Sequence, residues 1–347
     1  MDIVIEPNYD KNRHELSQIV PIRTPYTILI EVTRVCNFSC YYCMHSTKND
    51  PNGEYEKIKL RWDEIPLELF HKISKEISQM KPQPKRVLLL GLGEPLMNTE
   101  ISNMIKTLRK DGFTGRIDLI TNGSMINEKM ADLLIDSGLS KILISLQGMN
   151  SEAYKNNCGY NINFEEFVNN LTYLYKNKGK MQIYIKVIDC MLDTKEEKEY
   201  FYNVFGKISD TCNIEHLIVN QLQMGDHNGK VNHRRNIHNE KILDRDICPM
   251  PFYQIQIFLD GTVLPCPISG ISKELAIGDA NTQSLIDIWN GNRRKIFLET
   301  MLTKKRSVYE PCRNCESIHC ISVEEENLDN NSEKILERME KYYGVRD

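Results

Sequence analysis

The sequence predicts an α/β fold in which a partial barrel of six strand-helix units precedes a small module built of a β-hairpin and a helix. Two observations predict the barrel. Six short apolar runs rich in Val, Ile and Leu alternate with amphipathic segments long enough for crossover helices. Several of these runs also place polar residues on one face, as in a curved sheet with helices outside and a polar lumen inside. An Asp-Gly turn between two alternating apolar runs predicts the hairpin.

The strand-helix units follow one another along the first two thirds of the chain. The predicted strands span 26–33, 85–93, 115–122, 140–148, 181–189 and 214–221. The predicted helices between them span 62–79, 99–111, 126–136, 163–177 and 195–208. Repeated units of this kind form a parallel sheet with right-handed crossovers.

The fifth strand shows the alternation that predicts a polar lumen. Ile183, Ile185 and Val187 share one face, whereas Tyr184 and Lys186 share the other. The first and fourth strands repeat this pattern. Because barrels of this kind bind ligands at the C-terminal ends of their strands, we expect the site to lie at that rim.

The chain changes character after the sixth strand. A polar segment of mixed charge indicates a connection, and it precedes the predicted hairpin at 252–267 and a predicted helix at 281–302. The predicted units are an N-terminal extension at 1–24, the barrel at 25–222, the connecting segment at 223–247, the hairpin module at 248–322 and a C-terminal tail helix at 323–347.

Charge and hydropathy exclude several classes of partner. Lysine and arginine number 44 against 48 aspartate and glutamate, and the net charge of -4 gives no long-range attraction for nucleic acid or anionic lipid. No stretch approaches the roughly 18 apolar residues of a membrane span, and the N-terminus lacks a signal-peptide pattern. We therefore expect a cytoplasmic protein in which metal binding, and not disulfide pairing, is the default role of the 11 cysteines.

Three cysteines directly follow the first strand, in the stretch EVTRVCNFSCYYCMHS. A 4Fe-4S cluster needs one ligand per iron, so Cys36, Cys40 and Cys43 leave one iron open to an outside ligand. A zinc site is the alternative, in which Cys40 and Cys43 join Cys312 and Cys315 as four thiolates. That alternative leaves Cys36 without a role.

The three-cysteine loop, with Tyr42 before its third cysteine, resembles the signature loop of the radical S-adenosylmethionine (SAM) enzymes. The resemblance covers roughly residues 25–222 and implies a partial TIM-like (βα)6 barrel. It implies that SAM binds the open iron, and that reductive cleavage of SAM yields a 5'-deoxyadenosyl radical that abstracts hydrogen from a substrate C–H bond. It also implies a low-potential electron donor, such as flavodoxin or ferredoxin, as a partner.

Further positions are similar to the SAM-binding motifs of that family. The stretch GLGEP after the second strand resembles a Gly-Gly-Glu-Pro motif in which Leu92 replaces the first glycine, so Gly93, Glu94 and Pro95 keep the likeness. The other implied SAM contacts are Asn122, Ser145 and Gln147. Ordinary polar caps on the barrel rim are the alternative for each.

The later cysteines resemble the SPASM/twitch extension found on a subset of these enzymes, where a hairpin and a short helix hold an auxiliary 4Fe-4S cluster. The ligands implied by this resemblance are Cys248, Cys266, Cys312 and Cys315, with Cys320 as the alternative to Cys248. A full SPASM domain holds two clusters and has more cysteines than this chain offers. We therefore expect one auxiliary cluster.

Cys190 and Lys186 are the candidate catalytic residues. Cys158, Cys190 and Cys212 belong to neither cysteine set, and a buried structural thiol is the alternative for each. Cys190 follows the fifth strand, where a thiol can return hydrogen to a substrate radical, as epimerases of this superfamily require. Lys186 and Glu31 lie on lumen-facing positions and are candidates for substrate contact.

Three functions remain open. A single auxiliary cluster resembles the branch of enzymes that oxidise or epimerise a secondary alcohol carbon of a sugar or cyclitol, and we expect a small-molecule substrate of that kind. Peptide modification by residue epimerisation, or by a thioether or carbon–carbon cross-link, is the alternative. We disfavour it because about 25 residues precede the first strand, too few for a leader-binding domain. A non-catalytic metal-binding module would cleave no SAM.

Overall fold

Six parallel strands form a partial barrel in the computed structural model, which describes residues 3–8, 13–59, 61, 63–218, 230–231, 233–267 and 273–344. Each strand pairs with its neighbour in the sequence. The strands are β1 Thr27–Glu31, β2 Arg86–Leu90, β3 Arg116–Thr121, β4 Lys141–Leu146, β5 Gln182–Ile188 and β6 Thr211–Glu215. The predicted parallel barrel is confirmed, although β6 begins before its predicted start at 214, and residues 219–221 of that prediction lie outside the described residues.

Helices connect the strands and cover the outer face of the sheet. Those of the barrel are α1 Leu16–Ile19, α2 Glu54–Lys57, α3 Leu67–Gln79, α4 Ile101–Lys110, α5 Glu128–Asp136, α6 Ser151–Cys158, α7 Phe164–Asn177 and α8 Lys195–Phe205. The five predicted crossover helices are confirmed, but α3 begins only after Pro66. Within the described ranges, no helix combines the length and the apolar character needed to cross a membrane.

The alternation along β5 separates an apolar outer face from a polar inner face, as predicted. Ile183, Ile185 and Val187 are buried in the main core beneath the helices. Lys186 is half-buried and lines a cavity inside the barrel. Period-two patterning therefore decides which side chains face the lumen.

Helix α6 is absent from the sequence prediction because its amphipathic pattern is weak. Only Tyr154 and Cys158 of its eight residues are buried. Its ends are nevertheless well marked, since the Asn150 side chain accepts a hydrogen bond from the Ala153 backbone and Gly159 ends the helix with φ of 67°. Capping, more than periodicity, defines this helix.

The C-terminal hairpin extends the barrel sheet. Its strands are β7 Gln254–Ile257, β8 Thr262–Leu264 and the short β9 Gly278–Asp279. β7 pairs in parallel with β1, so the sheet order is β6-β5-β4-β3-β2-β1-β7-β8-β9. The predicted Asp-Gly turn is confirmed: Gly261 has φ of 88°, and a Cβ there would collide with the Asn281 amide.

The remaining helices pack beside the hairpin. They are α9 Leu285–Asn290, α10 Asn292–Leu302, α11 Glu310–Arg313, α12 Ser317–Cys320 and α13 Ser332–Gly344. The prediction of one helix at 281–302 is wrong, because Gly291 adopts an extended conformation between α9 and α10. Trp289 is fully buried and donates a hydrogen bond to the Ile22 carbonyl at 3.1 Å. Trp62 lies outside the described residues.

Residues 3–8 run beside β6 at the edge of the sheet. The Cys212 amide donates to the Val4 carbonyl at 3.0 Å, and the Glu6 amide donates to the Cys212 carbonyl at 3.1 Å. An uncovered edge strand exposes backbone groups that invite pairing with other chains. The N-terminal extension thus covers part of this edge.

Glu31 connects the end of β1 to both halves of the molecule. Its buried carboxylate accepts hydrogen bonds from Arg34 Nε at 3.0 Å and Nη2 at 2.9 Å, and from the Leu259 amide at 3.1 Å. Glu31 therefore has a structural role: its hydrogen bonds join β1 to the loop that follows it and to the hairpin. It does not line the cavity in the part of the chain that the structure describes.

We predict that Glu31→Ala lowers the free energy of unfolding by about 3 kcal/mol, because it leaves the half-buried Arg34 guanidinium and the Leu259 amide without their acceptor. Urea unfolding of the cluster-loaded protein measures the effect. The matched control is Glu54→Ala, which breaks an exposed ion pair with Lys57 and should cost less than about 1 kcal/mol. Equal midpoints for the two variants would contradict a structural role for Glu31.

Candidate active site

The three-cysteine loop follows β1 and is held by backbone hydrogen bonds from the end of α6. The Ser39 amide donates to the Cys158 carbonyl at 2.8 Å, and the Tyr41 amide donates to the Asn157 carbonyl at 3.1 Å. Within the loop, the Cys43 amide donates to the Cys40 carbonyl at 2.9 Å. Helix α6, which the hydrophobic periodicity of the sequence did not predict, therefore positions the cysteine loop.

The three thiols lie near one another and are partly buried. Burial, with smaller contributions from the negative charges of Glu94 and Cys43, raises the pKa of Cys36 to about 12, although a hydrogen bond from the Phe38 backbone acts in the opposite direction. A hydrogen bond with Cys158, followed by burial, raises the pKa of Cys40. Thiols in such surroundings ionise when a cation replaces their protons, so these residues fit an iron-sulfur cluster.

The GLGEP loop after β2 packs directly on the cysteine loop. The Gly93 amide donates to the Thr33 carbonyl at 3.1 Å, and a Cβ on Gly93 would collide with the Val35 carbonyl. Leu92, which departs from the family motif, packs beside Met44 in a small apolar cluster. This close approach explains why glycine is needed at 93 and why a leucine fits at 92.

Glu94 lies buried at the centre of this rim. Its carboxylate accepts hydrogen bonds from Thr121 Oγ1 at 2.5 Å, the Asn122 amide at 2.6 Å and the Leu96 amide at 3.0 Å. Burial raises its pKa, although these donors act in the opposite direction. The carboxylate retains lone pairs that can accept from a ligand ammonium group. Pro95 begins the short 3-10 helix Pro95–Met97 that follows.

The other predicted SAM contacts surround the same loop. Asn122 Nδ2 donates to Asn37 Oδ1 at 2.9 Å, which joins the loop after β3 to the cysteine loop. The Tyr42 hydroxyl donates to Gln147 Oε1 at 3.0 Å, which joins the end of β4 to it. Ser145 is half-buried on the inner face of β4. The structure thus brings the predicted rim residues together.

The four later cysteines meet beside the hairpin. Cys266 and Cys315 form an apolar cluster with Met250, and Cys248 packs against it. Burial raises the pKa of Cys248, and the neighbouring thiols of Cys315 and Cys312 add to the rise. Burial likewise raises the pKa of Cys312 to about 12. The grouping fits a second cluster with four protein ligands.

Two nearby residues complete the description of this second site. Arg306 donates hydrogen bonds to the carbonyl groups of Cys312 and Cys315, so its charge lies next to the thiols. Cys320, the alternative ligand, is buried in α12, and its carbonyl accepts from the Ile237 amide at 2.9 Å.

A cavity of about 650 Å³ occupies the barrel lumen. It extends from the amino ends of the strands to Lys186 and Glu215, and its wall includes Met250 and Ile321 beside the second cysteine site. An open groove of about 960 Å³ on the outer surface, between α3, α9 and α13, contains neither cysteine set. The lumen is therefore the better candidate for a substrate site.

Lys186 belongs to a charged group inside the lumen. Its Nζ lies 2.6 Å from Glu215 Oε2, and the Tyr184 hydroxyl donates to Glu215 Oε1 at 2.7 Å. Sequence reasoning did not single out Glu215, although it is the second residue of the predicted sixth strand at 214–221. The signal was the carboxylate in the stretch TCNIE, whose last two residues begin that predicted strand.

Cys190 lies at the rim, directly after β5. Its sulfur lies 3.0 Å from the Tyr41 hydroxyl, and burial raises the pKa of the thiol. It packs in a small cluster with Tyr42, Ile188 and other apolar residues. Tyr41, between two predicted cluster ligands, is a further residue that sequence reasoning did not single out.

Two relatives with assigned names match only part of the chain. The chain is 33% identical over 126 residues to a probable GTP 3',8-cyclase of Methanococcus maripaludis, and the match covers 36% of this chain and 38% of that protein. It is 32% identical over 143 residues to the GTP 3',8-cyclase of Sinorhizobium medicae, covering 40% of this chain and 38% of that protein. The chain thus matches well under half the length of these relatives.

Solved structures share the fold over most of the chain. BtrN in complex with AdoMet and 2-DOIA superposes with a TM-score of 0.54 at 18% identity, covering 84% of this chain and 92% of that one. SuiB of Streptococcus suis bound to S-adenosylmethionine gives 0.57 at 14% identity, covering 88% and 74%. The anSMEcpe structure with bound AdoMet gives 0.57 at 18% identity, covering 93% and 98%.

Two family profiles cover the regions that contain the two cysteine sets. The profile of the Radical SAM superfamily matches residues 30–201, and that of the SPASM iron-sulfur cluster-binding domain matches residues 248–316. The second match includes the four grouped cysteines and ends before Cys320. The chain therefore belongs to the radical SAM superfamily, with a C-terminal SPASM domain, and its cofactors are a SAM-binding 4Fe-4S cluster and an auxiliary iron-sulfur cluster.

Proposed function

We propose that this radical SAM enzyme is an oxidoreductase that oxidises or epimerises a secondary alcohol carbon of a small polar molecule, such as a sugar or cyclitol. The observation that supports the proposal is the cavity of about 650 Å³ in the barrel lumen, with charged and polar side chains on its wall and with Met250 and Ile321 beside the second cysteine site. Small-molecule sites typically have volumes of about 300–1,000 Å³. A low-potential donor such as flavodoxin or ferredoxin would supply the electron.

The residues at the rim would hold the first cluster and SAM. We assign Cys36, Cys40 and Cys43 to the iron ligands. The proposed SAM contacts are Tyr42, Gly93, Glu94, Pro95, Asn122, Ser145 and Gln147. When bound, the two clusters supply one-electron chemistry: reductive cleavage of SAM to a 5'-deoxyadenosyl radical at the first, and acceptance of an electron at the second.

The assignment of the second site follows the grouping of its thiols. We assign Cys248, Cys266, Cys312 and Cys315 to the auxiliary cluster, with Cys320 as the alternative ligand. Met250 contacts two of these cysteines and also lines the lumen. Only the Met250 side chain would therefore separate a substrate in this part of the cavity from the second cysteine site.

Lys186 and Glu215 would act on the substrate alcohol. The Lys186 ammonium can donate a hydrogen bond to the alcohol oxygen and so orient the carbon that loses hydrogen. The Glu215 carboxylate, 2.6 Å from that ammonium, can accept the alcohol proton when the carbon is oxidised. Both groups are fixed by their mutual ion pair and by Tyr184, so little reorientation is needed.

Cys190 would return a hydrogen atom to the substrate radical if the reaction is an epimerisation, and one electron from the low-potential donor with one solvent proton would then restore the thiol from the thiyl radical. Tyr41 orients the thiol through the 3.0 Å contact to its sulfur. Oxidation needs no such donor, so the role of Cys190 separates the two reactions.

Peptide modification is the alternative function for the same cavity. SuiB, one of the structural neighbours, has been solved bound to the precursor peptide SuiA.

We predict that each cysteine set holds its own cluster. Wild-type protein reconstituted anaerobically should contain about eight irons per chain, and the triple variant of Cys36, Cys40 and Cys43 to alanine should contain about four. That variant should form no 5'-deoxyadenosine from SAM and reductant, because it lacks the three thiolates proposed to hold the SAM-binding cluster.

The double variant of Cys312 and Cys315 to alanine is the matched comparison. It should also lose about four irons but keep some uncoupled cleavage of SAM, while substrate turnover stops. Zinc in place of iron and sulfide, or full activity of both variants, would contradict the proposed function.

A second prediction tests Cys190 in heavy water, with a sugar or cyclitol that stimulates deoxyadenosine formation. Wild-type product should contain one solvent-derived deuterium, and Cys190→Ala should form deoxyadenosine without placing deuterium in the product. Cys212→Ala, which removes a thiol buried beside β6, is the control and should behave as wild type. A ketone product without deuterium from all three proteins would reject the role of Cys190 and leave oxidation as the reaction.

A further inference from the structure

Three consecutive strands begin with a basic residue that faces the lumen. Arg86, Arg116 and Lys141 are the first residues of β2, β3 and β4, and all three line the cavity. Parallel strands bring their amino ends to the same edge of the sheet, so these cations meet at the end of the barrel opposite the cysteine loop. The proposed function makes no use of them.

A single buried carboxylate lies among the three cations. Asp118 lies 2.9 Å from Arg116 Nε and 3.8 Å from Arg86 Nη1. The Lys141 ammonium donates to the Asn8 side chain at 2.6 Å, so part of its hydrogen-bonding capacity is met by a neutral group. Arg86 Nε is buried without a hydrogen-bond partner. The cluster therefore has donors and positive charge that its own carboxylate does not satisfy.

Other charges on the cavity wall do not cancel the excess. Arg13 pairs with Glu326 at 2.8 Å, and Lys186 pairs with Glu215. Among the described residues, Asp118 and the charged residues of the wall together comprise six lysines and arginines against four carboxylates. The wall thus has an excess of two positive charges, one of the six cations being the exposed Lys85, in a protein whose net charge is -4.

Burial affects these groups as expected for charges in a site of low polarity. It lowers the pKa of Arg86 and of Lys141, and Asp118 acts in the opposite direction on both. Burial raises the pKa of Asp118, which the three cations counteract. An added anion would therefore find desolvated cations, for which its attraction is stronger than in water.

We propose that Arg86, Arg116 and Lys141 bind a phosphoryl group of the substrate, so that the small polar molecule of the proposed function is a phosphorylated one. This inference rests on the proposed function for the identity of the cavity as the substrate site. A phosphate monoester has a charge of about -1.5 to -2 at pH 7, which matches the excess of two. Guanidinium groups also present paired donors that match phosphate oxygens.

The position of the cluster sets the orientation of the substrate. Ser145, the register partner of Lys186, lies four residues beyond Lys141 along β4, a rise of about 13 Å. A phosphoryl group held at the amino ends would therefore direct the rest of the molecule toward Lys186 and the cysteine loop. The cations position the substrate and take no part in bond breaking.

The test measures binding of inorganic phosphate to the cluster-loaded full-length protein by calorimetry, without reductant and at constant ionic strength. Wild type should bind phosphate in preference to acetate, a carboxylate of lower charge. Arg116→Gln and Arg86→Gln should each weaken phosphate binding about tenfold, because each removes a charge-assisted hydrogen bond. Lys195→Gln, which removes an exposed lysine of α8, is the matched control and should bind as wild type.

Lys141→Gln keeps the test decisive if an arginine variant fails to fold, because Lys141 is only half-buried and its loss should weaken phosphate binding in the same direction. Equal phosphate binding by wild type, Arg116→Gln and Lys141→Gln would overturn the proposal, as would stronger binding of acetate than of phosphate.

A second measurement separates this inference from the proposed function. Deoxyadenosine formation is compared for matched phosphorylated and unphosphorylated hexoses and cyclitols. Stimulation only by the phosphorylated members supports the phosphoryl site. Stimulation only by the unphosphorylated members overturns the site and leaves the proposed function in place. Phosphate binding that responds to the variants, with turnover of peptides alone, would retain the anion site and reject the proposed function.

Discussion

Backbone hydrogen bonds to the three-cysteine loop are the interactions on which the active site depends. The loop has no regular secondary structure between β1 and the short 3-10 helix Met44–Thr47, so its backbone groups need partners from other elements. The end of α6 supplies two carbonyl acceptors, and the loop after β2 donates to the carbonyl groups of Thr33 and Val35. These contacts fix the thiols before any iron binds. Side chains after β3 and β4 then attach to the loop and complete the rim.

The polar lumen is the second constraint, because charges removed from water cost several kcal/mol each unless they are paired. The ion pairs of Lys186 with Glu215 and of Arg13 with Glu326 offset part of that cost. The cations at the amino ends of β2 to β4 are offset only in part. One geometric fact explains both ends of the barrel: parallel strands gather their carboxyl ends beside the three-cysteine loop and their amino ends around the cations.

Hydrophobic patterning predicted β1 to β5 well, because strands covered by helices are nearly continuous apolar runs. It misplaced β6, whose residues TCNIE are mostly polar at the edge of the sheet. It also missed α6, which is defined by its caps, and the break at Gly291 between α9 and α10. The caps of α6 and the extended backbone at Gly291 are local features without an apolar pattern, whereas β6 pairs with the distant residues 3–8. The pairing of β7 with β1 is a contact of the same kind.

The sequence by itself determined the chemistry of this protein, because cysteine spacing is a local property: Cys36, Cys40 and Cys43 can face a common cluster wherever their loop is placed. The GLGEP stretch is equally local. Only the tertiary structure decided which residues face the cavity in the lumen. Arg86, Arg116, Lys141 and Glu215 lie far apart in the chain, and strand pairing brings them into one lumen. Strand register and the direction of each side chain are set by the packing of the whole sheet, and single segments do not contain that information.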